Sequence, residues 1–254
     1  MTNFPGQWDD GTAETGPDHQ VHWYDERTAI IRQALRTNFE GPFIYLLLGS
    51  RRALLLDSGT GHADLREVVD GLLAGRELEL VVAHTHGHGD HVGGDPQFDP
   101  AQVVADPAAY FGIDTWPEQV VRYDLGDRVV DVVPVPGHEG TDLAFYDRAT
   151  RLLLTGDSLY PGRLYVPDWD AYRASIARLA AFVAADNPVS WVLGAHIELT
   201  RTPGLDYAMG ADRHPAEHEL QLAPTVLTEL ADALAEAGPE PRRIVRDHFI
   251  VVPC

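Results

Sequence analysis

Apolar residues change their spacing along this chain in a way that marks successive strands and helices. Thr28–Gln33 is rich in β-branched residues, while Phe43–Leu48 and 53–56 are short, nearly all-apolar runs separated by Gly49-Ser50, so the three predict a meander of antiparallel strands. Over 63–73 the period becomes helical: Leu65, Val68, Val69, Leu72 and Leu73 share one face, and Gly75 stops the run. Further strands are predicted at 78–83, 102–105, 120–125, 128–134, 143–146, 151–154 and 189–193. Trp169, Tyr172, Ile176, Leu179 and Val183 form the buried stripe of a helix over Trp169–Ala184. A last helix is expected at 216–237 and a closing strand at 243–252. Strands that arrive in runs favour sheets covered by helices over a doubly wound sheet, which would alternate strand and helix throughout. Residues 1–20 lack periodicity and read as a polar arm, leaving 21–254 as a single domain.

Composition narrows the chemistry. The chain has 254 residues, of which 19 are basic and 39 acidic, for a formal charge of −20. Every basic residue is Arg, so a Schiff-base lysine and a P-loop lysine are both excluded. So acidic a chain repels phosphate backbones, and Arg242, Arg243 and Arg246 make too small a basic patch to recruit nucleic acid. The single cysteine, Cys254, allows no intrachain disulfide. The first ten residues carry neither a basic nor an apolar leader segment, and the longest apolar runs are far below bilayer-spanning length. The expectation is a cytoplasmic protein with neither a membrane nor a nucleic-acid partner, and of unspecified oligomeric state.

The stretch His84-Thr85-His86-Gly87-His88-Gly89-Asp90-His91 follows the buried strand at 78–83 and places four histidines among glycines. Imidazole is a common metal ligand, and glycine lets the backbone fold tightly enough for several side chains to converge. Side chains alternate on an extended strand end, so His86 and His88 can reach one ion while Asp90 and His91 reach a second. His138, Asp157 and His196 share the same setting, each just beyond an apolar strand and close to Gly. Asp57, in Leu56-Asp57-Ser58-Gly59, suits a carboxylate that orients a ligand histidine or its loop. His84 lies outside the pattern and is expected to pack beside the ligands or support one. Tyr160, Arg163 and Tyr165 follow Asp157 closely and are candidates for lining a substrate pocket, with Glu198 pairing with an Arg or joining that lining. His214 and His218, four apart, would share a face of the last predicted helix, with His214 a candidate substrate contact at the pocket rim.

In these residues the sequence resembles the metallo-β-lactamase-fold superfamily, in its glyoxalase II-like and lactonase-like branch. The HxHxDH string stands at His86, His88, Asp90 and His91, and the later His, Asp and His at His138, Asp157 and His196, across about residues 28–200. The resemblance implies an α+β fold, an αββα sandwich of two mixed β-sheets flanked by helices. It also implies one ion held by His86, His88 and His138, another by Asp90, His91 and His196, and Asp157 bridging them. Two Zn2+ ions so held would lower the pKa of a shared water toward neutrality and give a bridging hydroxide. The implied activity is hydrolysis of a carboxylic ester, lactone or thioester, with a small-molecule acyl substrate of neutral or weak charge. Asp90 would help hold and deprotonate the nucleophile, and Tyr160 would act as an oxyanion or leaving-group donor.

Other branches fit less well. The β-lactam-hydrolysing members share the ligands but normally carry an export signal, and one branch grips its substrate with a lysine that this chain lacks. A persulfide dioxygenase would use a single Fe2+ on two His and one Asp; that branch has a cysteine soon after its third ligand histidine, where this chain has Glu139-Gly140-Thr141-Asp142. Substrate choice is left to the loops at 98–116, 161–168 and 201–215.

Overall fold

Strands β1 (His19–Asp25), β2 (Thr28–Gln33), β3 (Phe43–Leu48), β4 (Arg52–Leu56) and β5 (Glu79–Ala83) form one sheet in sequence order. The coordinates are a computed structural model and describe residues 4–254. The first three junctions are antiparallel, and β4 pairs with β5 in parallel through the connection that carries α1 (Leu65–Leu73). β2 and β3 are buried at every position, which is why β3 shows as an apolar run without alternation, while β2 also buries Thr28, Arg32 and Gln33. Helix α1 starts where the Asp64 side chain accepts the N–H of Glu67 at 3.0 Å, and its Leu65 and Val69 join the core of Ile31, Ile44, Leu55 and Val82. After β5 come α2 (Gly89–Val92), a single turn of 3-10 helix at Asp95–Gln97, and α3 (Pro107–Phe111). Apart from Phe111, these elements belong to the first of two compact units, made of the described residues up to Tyr110 with Asp124–Val129 and Ala208–Pro215.

The second unit comprises Phe111–Tyr123, Val130–Tyr207 and Ala216–Cys254. Along it run β6 (Val121–Asp124), β7 (Val129–Pro134), β8 (Leu143–Asp147), β9 (Leu152–Gly156), β10 (Arg163–Val166), α4 (Trp169–Ala184), β11 (Trp191–Gly194), β12 (Gln221–Leu222), α5 (Pro224–Ala237), β13 (Ile244–Val245) and β14 (Ile250–Pro253). A six-stranded mixed sheet has the order β12-β11-β9-β8-β7-β6, and β10-β14-β13 make a small third sheet. Helices α4 and α5 bury Tyr172, Ile176, Leu179, Leu227 and Leu230 in the core of this unit. Mixed sheets with helices are the α+β class that the resemblance implied.

Several boundaries differ from the sequence expectation. The last helix begins at Pro224, not at 216, because proline sets the first helical φ and biases the residue before it away from helix; Gln221–Leu222 instead pairs with β11. The closing strand is two short strands, β13 and β14, and 102–105 contributes only the isolated bridge between Val82 and Val103. The short β10 and the third sheet were not anticipated. Among the described residues no helix is long and apolar enough to cross a membrane.

Candidate metal centre

In the first unit, β4 and β5 run parallel with Leu56 opposite Ala83, so the residues just beyond both strands emerge side by side. Asp57 (φ 69°) and Thr85 meet there. The Asp57 carboxylate accepts the Thr85 N–H at 2.7 Å and the Thr85 hydroxyl at 2.9 Å, and its Oδ2 lies 2.8 Å from Nδ1 of His91. Both Asp57 and His91 are buried. His91 must therefore carry its proton on Nδ1, which leaves the lone pair on Nε2, set 3.3 Å from Asp90 Oδ2. Because the Thr85 hydroxyl gives its hydrogen to Asp57, it accepts from Nδ1 of His86 at 3.2 Å, and that ring too presents its Nε2 lone pair, 3.0 Å from Nδ1 of His88. His84 turns to Asp95 at 2.8 Å, an oxygen that also accepts from Ser58, whose hydroxyl reaches the His91 carbonyl. His84 is thereby tied to Ser58 through Asp95.

The second unit repeats this arrangement. β9 and β11 are parallel, with Gly156 opposite Gly194, so Asp157 and His196 emerge together, and His196 Nε2 lies 3.3 Å from Asp157 Oδ1. His138 follows β7 on a loop held at each step. The Pro136 carbonyl accepts from Ser175, and the carboxylate of Asp142 accepts the N–H groups of His138 and Glu139 at 3.0 and 2.6 Å. Only glycine serves at Gly137, where φ is 150° and a Cβ would fall 2.4 Å from Tyr172 Cα on α4. The Tyr165 carbonyl accepts Nδ1 of His138 at 2.9 Å, so the His138 Nε2 lone pair faces Asp157 Oδ2 at 3.5 Å. Burial pushes the Asp142 carboxyl up to about 8, reinforced by the charges of Asp157 and Glu139 and opposed by its N–H donors.

The donor chemistry fits a metal. In each unit an imidazole Nε2 is held against a carboxylate oxygen in a buried setting, a contact that is favourable only with a cation between the two atoms or a proton on the ring. His-rich clusters with carboxylates and tautomers fixed from behind are what borderline divalent ions select.

The remaining expected residues have the following places. Tyr160 is buried, its ring edge-on to His196 with centroids 5.4 Å apart, and its hydroxyl donates to the Arg163 carbonyl with Glu198 at 3.3 Å. Its hydroxyl is thus engaged inside the unit, and burial raises its pKa well above the ordinary value. Arg163 is held by Glu198, Asp206, the Tyr165 hydroxyl and the Tyr207 carbonyl; burial acts to lower its pKa, but Glu198, Asp206 and Tyr165 outweigh it and raise it. Tyr165 serves through its carbonyl as well as its ring. His214 lies in the first unit with its N–H on the Asp10 carbonyl, while His218 lies in the second, so the two share no helix face. The partner of His218 is His248, at 2.9 Å, in a cavity of about 630 Å³ that Trp191 and Arg201 also line. Sequence reasoning missed Thr85, Asp142 and the Tyr165 carbonyl. A threonine inside the His string and an Asp four residues past His138 were available signals; a backbone carbonyl leaves none.

Comparison with known proteins bears on the same residues. The human acyl-coenzyme A thioesterase MBLAC2 is 26% identical over 237 residues, covering 76% of this chain and 80% of its own. A hydroxyacylglutathione hydrolase of Ectopseudomonas mendocina is 34% identical over 163 residues, 58% of this chain and 60% of its own. Among solved structures, a metallo-beta-lactamase from Pontibacter korlensis superposes with a TM-score of 0.60 at 15% identity over 85% of this chain and 99% of that one, a likeness of fold. The family model of the metallo-beta-lactamase superfamily matches residues 37–108 and 98–224, which take in all seven His and Asp positions of the HxHxDH, His, Asp, His series. With that match across most of its length, this chain belongs to the metallo-beta-lactamase superfamily.

Proposed function

We propose that the chain is a dinuclear zinc hydrolase of thioesters, able by the same chemistry to open other activated carboxylic esters and lactones. The observation that carries the reading is the buried His138, Asp157 and His196 cluster, in which both imidazole Nε2 atoms converge on the Asp157 carboxylate at 3.3 and 3.5 Å. The thioester preference is supported by the two relatives, whose names both describe acyl groups carried on a thiol.

In this reading His86, His88 and His138 would hold one ion and Asp90, His91 and His196 the other, with the Asp157 carboxylate available to either. Divalent ions there would supply Lewis acidity and a water acidified toward neutral pH. The chain's own residues do the rest. Asp57, Thr85 and the Tyr165 carbonyl fix the tautomers of His91, His86 and His138, so that Nε2 is the donor atom in each. Asp90 Oδ2 accepts the proton of the attacking water. A departing thiolate needs little help from an acid, because thiols ionise near pH 8.5. That agrees with a Tyr160 hydroxyl already spent on the Arg163 carbonyl. Arg163 and Tyr165 remain candidates for contacting the substrate, with Tyr165 the more exposed of the two. The substrate is a small acyl compound and the compartment cytoplasmic.

The test combines elemental analysis with thiol release from acyl-coenzyme A and acylglutathione substrates. About two zinc ions per chain, loss of thiol release on chelation and its return with Zn2+ are expected. About one iron per chain with oxygen consumption, or zinc-loaded protein that releases no thiol, would overturn the reading.

A further inference from the structure

A buried ion cluster in the second unit connects directly to the segments that carry His138 and His196. Glu198 lies two residues past His196. Its Oε1 accepts from Nη2 of Arg163 at 2.6 Å and its Oε2 accepts the Arg163 backbone N–H at 2.6 Å. The backbone N–H groups of Glu198 and Leu199 donate to the Pro161 carbonyl at 2.9 and 3.0 Å. The loop after His196 is thereby tied to the start of β10. Arg163 reaches onward from there: Nε donates to the Tyr165 hydroxyl at 2.9 Å and Nη1 to Asp206 at 2.9 Å. Tyr165 is the residue whose carbonyl holds Nδ1 of His138. One guanidinium thus braces both the residue that orients His138 and the carboxylate that follows His196.

Tyr160 fills the space between, with its ring against His196 and its hydroxyl on the Arg163 carbonyl. The packing is close enough that a Cβ on Gly162 would lie 2.2 Å from the Tyr160 ring and 2.7 Å from Glu198 Oε2. Side-chain exposures of 11% for Arg163 and 18% for Glu198 place the pair where desolvation offsets much of its Coulomb attraction. Such a pair adds little net stability; what it contributes is fixed geometry, because a guanidinium fork engages a carboxylate and its neighbours in one orientation.

We propose that the Arg163–Glu198 pair, completed by Asp206, is a positioning clamp that sets how the His138 and His196 imidazoles approach Asp157, and through them the affinity of the second unit's metal ligands. The clamp rests on the metal reading above and adds residues that touch no ion.

The test compares wild type with Glu198→Gln and Arg163→Lys. Zinc dissociation constants are measured by chelator competition, cobalt absorption spectra are recorded on Co2+-loaded protein, and melting temperatures are taken on the metal-free chain. The clamp predicts zinc binding weakened about 10- to 100-fold and a shifted cobalt spectrum, in protein that is folded at the assay temperature. Zinc affinity within about twofold of wild type and an unmoved cobalt spectrum, whatever the melting temperature, would overturn it. If either variant does not fold, Asp206→Asn removes one partner of Arg163 more gently. That variant is expected to weaken zinc several-fold, and wild-type affinity there would also refute the clamp. Wild-type protein that binds no zinc would remove the metal reading and the clamp together, whereas normal wild-type binding with unaltered variants would remove the clamp alone.

Discussion

Replacing Asp57 by Asn isolates the electrostatic role of one carboxylate. Asp57 accepts the Thr85 N–H, the Thr85 hydroxyl and Nδ1 of His91 within 2.7–2.9 Å at a fully buried position. Asparagine matches the shape and tolerates the φ of 69°. Its carbonyl can keep the Thr85 N–H while its amide donates toward His91. Then His91 must accept at Nδ1 and carry its proton on Nε2, which points that proton at Asp90 Oδ2, now 3.3 Å away. An acceptor facing an acceptor becomes an ordinary hydrogen bond, so the metal-free protein should melt within a few degrees of wild type. Metal binding must reverse the tautomer, and affinity should fall about 10- to 100-fold, or ~1.4–2.7 kcal/mol. Asp57→Ala behaves differently, because it strands three buried donors at about 1–3 kcal/mol each and places Ala at a left-handed φ costing ~1–2 kcal/mol. At about 2–4 °C per kcal/mol, its metal-free form should melt roughly 10 °C or more below wild type. Chelator competition and thermal unfolding by circular dichroism on both variants decide the matter. Wild-type zinc affinity in Asp57→Asn, or a loss of melting temperature as large as that of Asp57→Ala, would refute the tautomer account.

The remaining predictions concern neighbouring groups. Tyr160→Phe removes the hydroxyl bond to the Arg163 carbonyl at a cost of about 1 kcal/mol in unfolding experiments but should leave steady-state turnover within about threefold; a hundredfold loss in metal-replete enzyme would give the hydroxyl a direct role. Gly162→Ala should destabilise by about 1–3 kcal/mol through its clash with Tyr160, read from urea midpoints, and a neutral result would mean that the β10 approach is loose. Burial lowers the pKa of His218, so the unfolded chain takes its proton at higher pH than the fold does. Its stability contribution is therefore full above the ordinary histidine value and declines as pH falls through that value toward the lowered one. Between pH 7.5 and 5.5 the melting temperature of His218→Gln should fall less than that of wild type, and parallel curves would show that folding leaves the pKa of His218 unshifted.

How much could be seen in the sequence depended on how local the physics was. Helix α4 is bounded at Trp169 and Ala184, as its stripe of Trp169, Tyr172, Ile176 and Leu179 suggests, because one amphipathic period and the Asp168 cap fix both face and start. β3 is legible as an unbroken apolar run and β2 by its β-branched residues. The start of α5 was not, since Ala216 to Ala223 carry enough apolar residues to extend a helical period, and only Pro224 and the pairing of Gln221–Leu222 with β11 settle the boundary. His86, His88, Asp90 and His91 stand out in the chain because their spacing is local. The supports of those residues do not: Tyr165 acts on His138 through a backbone carbonyl 27 residues away, and Arg163 meets Glu198 across 35 residues. Those contacts depend on strand order, which residue patterns alone leave open.

Both units reach their ligand geometry by one device, a pair of parallel strands that end in register. β4 with β5 brings Asp57 beside Thr85, and β9 with β11 brings Asp157 beside His196, although each pair is distant in sequence. Parallel pairing suits the purpose because both chains leave the sheet in the same direction, whereas an antiparallel hairpin would return one of them into the core. The cost is confined to the ends: repelling lone pairs and the positive φ of Asp57 sit in loops, while β3, β4 and β9 stay buried and apolar and supply cohesion. His91 and His138 each have Nδ1–H given to an oxygen that the fold holds rigidly and Nε2 set against a carboxylate. A substitution that lets that nitrogen carry a proton relieves the repulsion and stabilises the chain by the very change that makes it a poorer ligand. Stability of the metal-free chain and affinity for metal are for this reason opposed at His91 and His138, and a variant selected for thermostability alone should gather changes at Asp90 or Asp157 first.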